Sequence, residues 1–548
     1  KENNKLRFAS KGDKIVEINN KVIDNSLEYL TTFEVPEEWK DLEYKDNQKL
    51  TFNESINLLK GDTLPVSSFI KNKEGIFEGT TTKEEKRNIA EEVPCWISEN
   101  CIECNQCAFS CPHGVIRPFL LDKKDSKVES IPSLLPKDKE FTIGINYEEC
   151  TGCGVCTLAC PGKLGKKALE MVPNKDKENN FEYLLKNNVN DKYQSNLLTV
   201  KNVSFKEPKF EYSGACAGCG ETPYITNLTR VFNDNLMIAN ATGCSSIYSG
   251  SVPSMPYSIP WASSLFEDNT EYGYGILQGI NIKRDKIKKY MKEYPRNKLF
   301  KKWIENMDNY DICKEVKENI DYKKHPYLND MKDYILPKQL WVLGGDGFAY
   351  DIGYGGLDHV LSKKDNINIL VLDTEVYSNT GGQSSKSSNI GSVASFTSNG
   401  KDNYKKDLAR IAMCYPHVYV ASVNIGYNKE QYLKAIKEAS LHNGPSLIIA
   451  YSPCIEHGIK TGMQHSQSNG YLATKCGYFL TFRYNPDTKK FSLDSKEPEF
   501  DKYEDYLMTE NRFASLVRKD KERARLLLEE QKQWAIDRYN YYKKISEE

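Results

Sequence analysis

Sixteen cysteines and a small set of oxygen donors carry most of the chemistry legible in this 548-residue sequence. Cys101, Cys104, Cys107 and Cys111 are spaced C-x2-C-x2-C-x3-C and followed by Pro112. Cys150, Cys153, Cys156 and Cys160 repeat that spacing ahead of Pro161. Three closely spaced thiolates can wrap three corners of an iron–sulfur cube, while a fourth, turned away by its proline, reaches a second cube. Cys101, Cys104 and Cys107 are therefore expected to pair with Cys160, and Cys150, Cys153 and Cys156 with Cys111. A pair of zinc sites would instead group its ligands in twos, and the strict internal repeat weighs against it. Gly152 and Gly154 suit the tight backbone around a cluster.

A third thiol group is more scattered. Cys216 and Cys219 lie in SGACAGCGETPY, and Cys244 lies in NATGCSSIYSG. A C-x2-C alone could be zinc, a redox pair or accident. The glycine-rich surroundings and the lack of a fourth cysteine nearby favour a cluster ligated from distant points of the chain. Cys454, in YSPCIEHG, is the candidate fourth ligand. Cys95 reads as a partly buried thiol, Cys313 as an ordinary one, and Cys414 and Cys476 as core residues.

The oxygen donors sit in WVLGGDGFAYDIGYGGLDHVLSKKDNINILVLDTEVYSNTGG, Trp341 to Gly382. An apolar run from Leu340 to Leu343 reads as a buried strand. Gly344, Gly345 and Gly347 then bracket Asp346. A helix of roughly a dozen residues is expected next, because Ile352, Leu357, Val360 and Leu361 fall at helical spacing. A second buried strand, Ile367 to Leu372, ends at Asp373-Thr374-Glu375-Val376. Strand–helix–strand in this order is a parallel unit whose ligands lie beyond the carboxyl ends of the strands. Glycines let backbone amides approach phosphate oxygens, and a helix start offers them its positive end. Mg²⁺ takes six oxygens in near-octahedral array at ~2.1 Å. The Asp346 carboxylate, the Thr374 hydroxyl and the Val376 carbonyl can supply three of them, leaving the rest to a diphosphate and water. GDG alone is a weak signal; followed by helix, strand and Thr-x-Val-x-x-Asn it is similar to the thiamine diphosphate motif, with Asn379 near its end.

Positioning these groups takes several elements. The length suggests about three to four domains. The balance of 75 basic against 76 acidic residues argues against a nucleic-acid or membrane-surface role. No apolar run reaches the ~18 residues of a spanning helix. Cysteines in ligand spacings imply a reducing, cytoplasmic compartment; the chain begins at Lys1, which leaves a hydrogenosome or similar organelle open. Residues 1–50 read as one helix and then the tail of a preceding domain, and residues 51–92 as a linking arm. Residues 93–175 hold the two-cluster repeat, and residues 176–210 read as an Asn/Lys-rich linker. Residues 211–548 form an α/β domain with a charged helical insertion at about 280–338. HVYVASVNIG and PSLIIAYSPC, with the helix KEQYLKAIKEAS between them, extend its parallel sheet. A long polar helix over 510–548 is expected to wrap another domain or subunit.

Taken together, ENCIECNQCAFSCPHGVI, ECTGCGVCTLACP, SGACAGCGETPY, NATGCSSIY, GGDGFAYDIGYGGLDHV and DTEVYSNTGGQSS resemble the pyruvate:ferredoxin (flavodoxin) oxidoreductase family, over its carboxyl-terminal half. The resemblance implies an α/β fold: a thiamine diphosphate-binding parallel-sheet domain plus a small α+β bacterial-type two-cluster ferredoxin domain. It implies thiamine diphosphate, Mg²⁺ and three 4Fe–4S clusters as cofactors, with coenzyme A as co-substrate. In the implied reaction pyruvate loses CO2 at the cofactor, which takes up the electron pair. The acetyl group passes to coenzyme A, and the electrons leave through the Cys216/Cys219/Cys244/Cys454 cluster, then the two ferredoxin-like clusters, to ferredoxin or flavodoxin. By the same resemblance Glu221, Gly243, Cys244, Ser245, Gly345, Asp346 and Gly347 line the cofactor site, with Asn379 near the reactive ring. The family's pyrimidine-binding domain, which carries the activating glutamate, lies in an amino-terminal half not seen here, and the complete enzyme is expected to be a homodimer. Two alternatives stand beside this reading. One is another 2-oxoacid oxidoreductase, or the pyruvate:NADP variant, separable by reduction of ferredoxin against NADP. The other is an electron-transfer protein with a vestigial thiamine site, separable by a cofactor-binding assay.

Overall fold

The computed structural model describes residues 1–9, 12–40, 50–72, 79–174, 180–193, 197–250 and 254–547. It divides into two units, Lys1–Lys73 and Glu74–Glu548. Among its described residues the first holds the α-helices Glu2–Phe8 and Asp13–Asn25, where a single helix was expected before residue 50, and a third, Phe52–Asn57. The third helix is opened by a capping box: Thr51 accepts from the Glu54 amide and Glu54 reaches back to the Thr51 amide.

In the second unit the cysteine repeat is framed by five short strands. These are β1 (Glu92–Trp96), β2 (Ile116–Leu121), β3 (Ile131–Pro132), β4 (Glu140–Ile145) and β5 (Leu169–Pro173). β1 and β5 form one antiparallel pair, and β2, β4 and β3 a second antiparallel sheet. Two five-residue helices, Gln106–Ser110 and Val155–Ala159, carry Cys107 and Cys156 and pack on each other. This is the expected α+β arrangement. The boundary expected at 175/176 lies outside the described residues. Beyond it the expected linker carries two helices, Phe181–Asn187 and Val200–Ser204, whose Phe181, Leu184, Val200 and Val203 are buried. The Asn- and Lys-rich composition hid these anchors, because only a few apolar residues per turn are needed to fix so short a helix.

The large sheet is built from β6 (Leu236–Ala241), β7 (Trp261–Ser264), β8 (Gln339–Gly344), β9 (Asn368–Asp373), β10 (Tyr419–Val423), β11 (Ser446–Tyr451), β12 (Phe482–Asn485) and β13 (Lys490–Leu493). Across the sheet they run β13-β12-β10-β11-β9-β8-β6-β7. Strands β7 to β10 in that row are parallel, and β12 and β13 add an antiparallel hairpin at one edge. Successive side chains alternate between faces. Val342, Ile369, Val371, Leu447 and Ile449 pack into one core, and Trp341, Leu343, Leu370, Leu372 and Ile448 into the other. A sheet covered on both faces explains why its strands are continuous apolar runs.

Three further expectations change. The helix after Gly345 is broken into Asp346–Tyr350 and Tyr354–Leu361. Gly353 sits in the break because any side chain there would collide with the carbonyls of Phe266 and Phe348. Ile352 is thereby taken off the buried face and is 62% exposed. The helical insertion begins earlier, with the 24-residue helix Asn269–Lys292, which packs on β6 and β8 and is part of the domain's own layer. At the carboxyl end two helices, Asn511–Lys519 and Lys521–Glu547, replace the single polar one. The second buries Leu527, Leu528, Ala535, Tyr539 and Tyr542 against its own domain, including β13. Cys476 is buried as expected, but Cys414 is exposed, past the end of the short helix Leu408–Ala412.

Candidate cofactor and cluster site

Strands β6, β8, β9 and β11 are neighbours, so their carboxyl ends deliver four loops to one edge of the sheet. β6 delivers Gly243 and Cys244, β8 delivers Gly345 and Asp346, β9 delivers Thr374 and Val376, and β11 delivers Cys454. That edge is where an open parallel sheet binds ligands. A cavity of about 350 Å³ opens there. Glu221, Gly243, Cys244, Ser245, Gly345, Asp346, Gly347, Thr374, Val376 and Asn379 all line it.

The oxygen donors converge. Thr374 Oγ1 lies 3.0 Å from the Val376 carbonyl oxygen, and the Thr374 amide donates to Asp346 Oδ1 at 3.2 Å. Adjacent oxygens of an octahedron with ~2.1 Å bonds are ~3.0 Å apart, so the Thr374 and Val376 oxygens are spaced as neighbouring ligands of a Mg²⁺ would be, with the Asp346 carboxylate beside the same loop. Burial, with Asp373 nearby, pushes the Asp346 carboxyl well above its usual range; a divalent cation reverses that preference. Ser385 donates to the second Asp346 oxygen at 2.9 Å and orients it.

The loop carrying Thr374 and Val376 is held from below. Glu375 between them has φ of +59°, a left-handed conformation disfavoured for a side chain of this kind. Its carboxylate is bonded by Lys405 at 2.7 Å, Arg512 at 2.9 Å, Asn389 at 3.0 Å and Tyr478 at 2.5 Å. Burial opposes its ionisation, but Lys405 and Arg512 outweigh that and hold it down at about 2. Removing one partner of such a buried pair costs about 3–5 kcal/mol, enough to hold one left-handed residue in place. His457 Nε2 is 2.6 Å from the Thr374 carbonyl. Burial and Arg512 lower the His457 pKa to about 3, so the ring is neutral. Nε2–H then donates to Thr374, and Nδ1 accepts from the Cys454 amide at 3.5 Å.

A second cavity of about 110 Å³ is lined by Cys216, Cys219, Cys244 and Cys454. Glu221, Cys244, Thr374 and Asn379 line both cavities, so the two share a wall. Cys454 Sγ is 3.2 Å from Ser378 Oγ, which is 3.2 Å from Thr374 Oγ1. Two hydrogen-bonded contacts thus separate the fourth thiol from the metal donors. Burial pushes the Cys454 thiol up to about 12, and burial with Glu221 beside them pushes Cys219 and Cys244 up as well. Glu221 itself is raised to about 7 by burial and accepts from Tyr248 Oη at 2.8 Å. These are thiols without a counter-charge, the state a cluster's iron converts to thiolate.

The repeat is folded so that Cys101, Cys104 and Cys107 sense Cys160. Cys150, Cys153 and Cys156 sense Cys111. Cys107 also acts on Cys156, so the two groups lie side by side. Among the described residues no three Cys, His, Asp or Glu side chains converge on a point as a single ion requires. Gly218, between Cys216 and Cys219, has φ of +80° and packs where a Cβ would stand 2.6 Å from the Met463 carbonyl. Its backbone amide reaches the Cys153 thiol, so the four-thiol cavity abuts the group that includes Cys111 and Cys150. Lys405 and Arg512 have no signal in motif spacing; Glu375 and Ser378 stood beside the candidates Thr374, Val376 and Asn379, Ser385 closed the same motif, and His457 lay three residues past Cys454, but nothing in the spacing marked their roles.

Comparison with known proteins agrees with this geometry. Residues 100–164 match the 4Fe-4S dicluster domain family, and residues 333–450 the C-terminal TPP binding domain of thiamine pyrophosphate enzymes. Residues 52–90 match a family described only as a domain of unknown function. The pyruvate:ferredoxin oxidoreductase of Moorella thermoacetica is 42% identical over 98% of this chain and 50% of its own length. The pyruvate-flavodoxin oxidoreductase of Enterobacter agglomerans is 40% identical with the same coverage. The chain is homologous to the carboxyl-terminal half of these oxidoreductases. The mitochondrial pyruvate dehydrogenase [NADP(+)] of Euglena gracilis is 36% identical over 98% of the chain and 32% of its own length. The chain thus spans about half the length of the first two relatives. Cys216, Cys219, Cys244 and Cys454 lie outside both cofactor-family matches, so their grouping rests on the fold. No helix among the described residues is long and apolar enough to cross a membrane.

Proposed function

We propose that this chain is the cofactor-bearing half of an enzyme that oxidatively decarboxylates pyruvate in the presence of coenzyme A. The products are acetyl-CoA and CO2, and both electrons leave to ferredoxin or flavodoxin. The observation that carries this reading is the shared wall: the cavity with a Mg²⁺-type donor set and the cavity with four thiols have Cys244 and Glu221 in common. When bound, thiamine diphosphate supplies the site that accepts the electron pair released with CO2. Asp346, Thr374 and Val376 would hold its metal, with Gly345 and Gly347 facing the diphosphate and Asn379 at the mouth. Cys216, Cys219, Cys244 and Cys454 would hold the first 4Fe–4S cluster. Cys111, Cys150, Cys153 and Cys156 would hold the second, against which Gly218 packs, and Cys101, Cys104, Cys107 and Cys160 the third. The convergent oxygen donors favour this reading over an electron carrier with a vestigial thiamine site.

Completion by an amino-terminal half is also supported. Single exposed apolar side chains are ordinary on protein surfaces. Here Ile352 lines the mouth of the first cavity, and Ile247 and Ile455 line the second, all more than half exposed. Such a rim suits a protein cover, which would hold the far end of the cofactor. The complete enzyme would assemble as a homodimer. The expected result is that this chain alone, loaded with thiamine diphosphate, Mg²⁺ and clusters, reduces no viologen dye from pyruvate and coenzyme A. Adding the amino-terminal half as a separate chain restores coenzyme A-dependent reduction. Full turnover by the isolated chain would overturn the requirement for a second half.

A further inference from the structure

Residues 79–92 form a strap, at the carboxyl end of the stretch that matches a domain of unknown function. The strap is tied down along its length. The Thr80 amide donates to the Tyr257 carbonyl at 3.0 Å, and the Met255 amide donates to Thr81 Oγ1 at 2.8 Å. Thr82 Oγ1 donates to the Glu211 carbonyl at 2.9 Å, and Lys83 pairs with the Glu211 carboxylate at 3.0 Å. Arg87 then forks: Nη1 donates to the Ser213 carbonyl and Nη2 to the Tyr212 carbonyl, each at 2.8 Å, while Glu85 holds Nε at 2.9 Å. On the other side the Lys86 amide donates to Glu149 Oε1 at 2.9 Å and the Asn88 amide to the Glu148 carbonyl at 2.8 Å.

The partners are what give the strap a role. Glu148 and Glu149 immediately precede Cys150, and Tyr212 and Ser213 immediately precede the Cys216 loop. The Tyr212 amide also donates to the His113 carbonyl at 3.0 Å, and His113 Nδ1 lies 3.2 Å from the Ser213 carbonyl. His113 follows Cys111 and Pro112. The strap thus joins the segments leading to Cys150, through the Lys86 and Asn88 amides, and to Cys216, through Arg87; Tyr212 and Ser213 carry the link on to the segment that follows Cys111. Lys86, Asn88 and Tyr212 have φ of +48°, +51° and +54°. None is glycine, and a left-handed backbone at such positions persists only where the surroundings impose it. A fork that bonds two carbonyls at once fixes direction as well as distance, which a lysine cannot do.

We propose that this strap is a clamp that sets the separation between the Cys216/Cys219/Cys244/Cys454 centre and the Cys111/Cys150/Cys153/Cys156 centre, with Arg87 as its positioning residue. The clamp rests on the cluster assignment above. Were both clusters bound, an electron leaving the first centre would enter the second across the interface that the strap braces, Arg87 holding the Tyr212–Ser213 side and Lys86 and Asn88 the Glu148–Glu149 side. The test uses the complete, anaerobically loaded enzyme with Arg87→Met and Arg87→Lys. Iron content and thermal midpoint are expected to stay near the parent's. Amide exchange over residues 212–219 is expected to rise about tenfold or more, as loss of charged hydrogen bonds allows. The spin–spin broadening between the two reduced centres is expected to change in both variants. Unchanged exchange and unchanged broadening in Arg87→Met would overturn the clamp. Should that variant lose its fold, Thr82→Val, which removes one hydrogen bond at constant shape, decides by the same two readouts. A parent holding about eight rather than about twelve iron atoms would overturn the cluster assignment and the clamp with it, whereas about twelve atoms with unchanged exchange and broadening would overturn the clamp alone.

Discussion

Replacing Asp346 by alanine is expected to abolish retention of thiamine diphosphate while leaving the iron content untouched. Asp346 is 3% exposed at the carboxyl end of β8, with one oxygen on the Thr374 amide and the other on Ser385. Without it the Thr374 hydroxyl and Val376 carbonyl remain, but no anionic donor does. Mutation of residues that merely orient metal ligands costs 10–100-fold in affinity, so loss of this ligand should exceed about a hundredfold. Calorimetric titration with thiamine diphosphate in excess Mg²⁺ measures it. An affinity equal to the parent's would remove Asp346 from the site.

The second large effect concerns Cys454. Cys454→Ser is expected to lower iron by about four atoms per chain, from about twelve to about eight. The loss should be confined to one centre, because Cys454 lines the cavity of Cys216, Cys219 and Cys244 and takes no part in the two repeat groups. Electron exit to an external acceptor should slow, while the two ferredoxin-like signals persist in EPR. An inert buried thiol is the rival explanation, and undiminished iron in this variant would establish it.

The fold and most of the site were legible because their signals are local. Cysteine repeats declare themselves by spacing, and Asp346, Thr374 and Val376 by their places at the ends of two apolar runs. Chain-distant groups left weaker marks. Cys454 was readable because three thiols lacked a fourth nearby and its strand had to end at the same sheet edge as β8. The supporting network was not readable: Lys405 lies in KDNYKKDL, which has the composition of a solvated loop, yet its ammonium is buried against Asp373 and Glu375 at 2.8 and 2.7 Å. Ile352 misled for the opposite reason. Its helical spacing is correct in one dimension, but Gly353 must approach the Phe266 and Phe348 carbonyls, and that tertiary contact breaks the helix. The long terminal helix is charged on one side only, and its buried tyrosines read as polar in the sequence.

The most direct measurement takes one anaerobic preparation of this chain and determines iron content and Mg²⁺-dependent thiamine diphosphate binding together. The expected result is about twelve iron atoms, as three four-iron clusters require, with saturable binding of one cofactor per chain. A preparation that holds all its iron but binds no thiamine diphosphate with Mg²⁺ present would contradict the joined cofactor and cluster site.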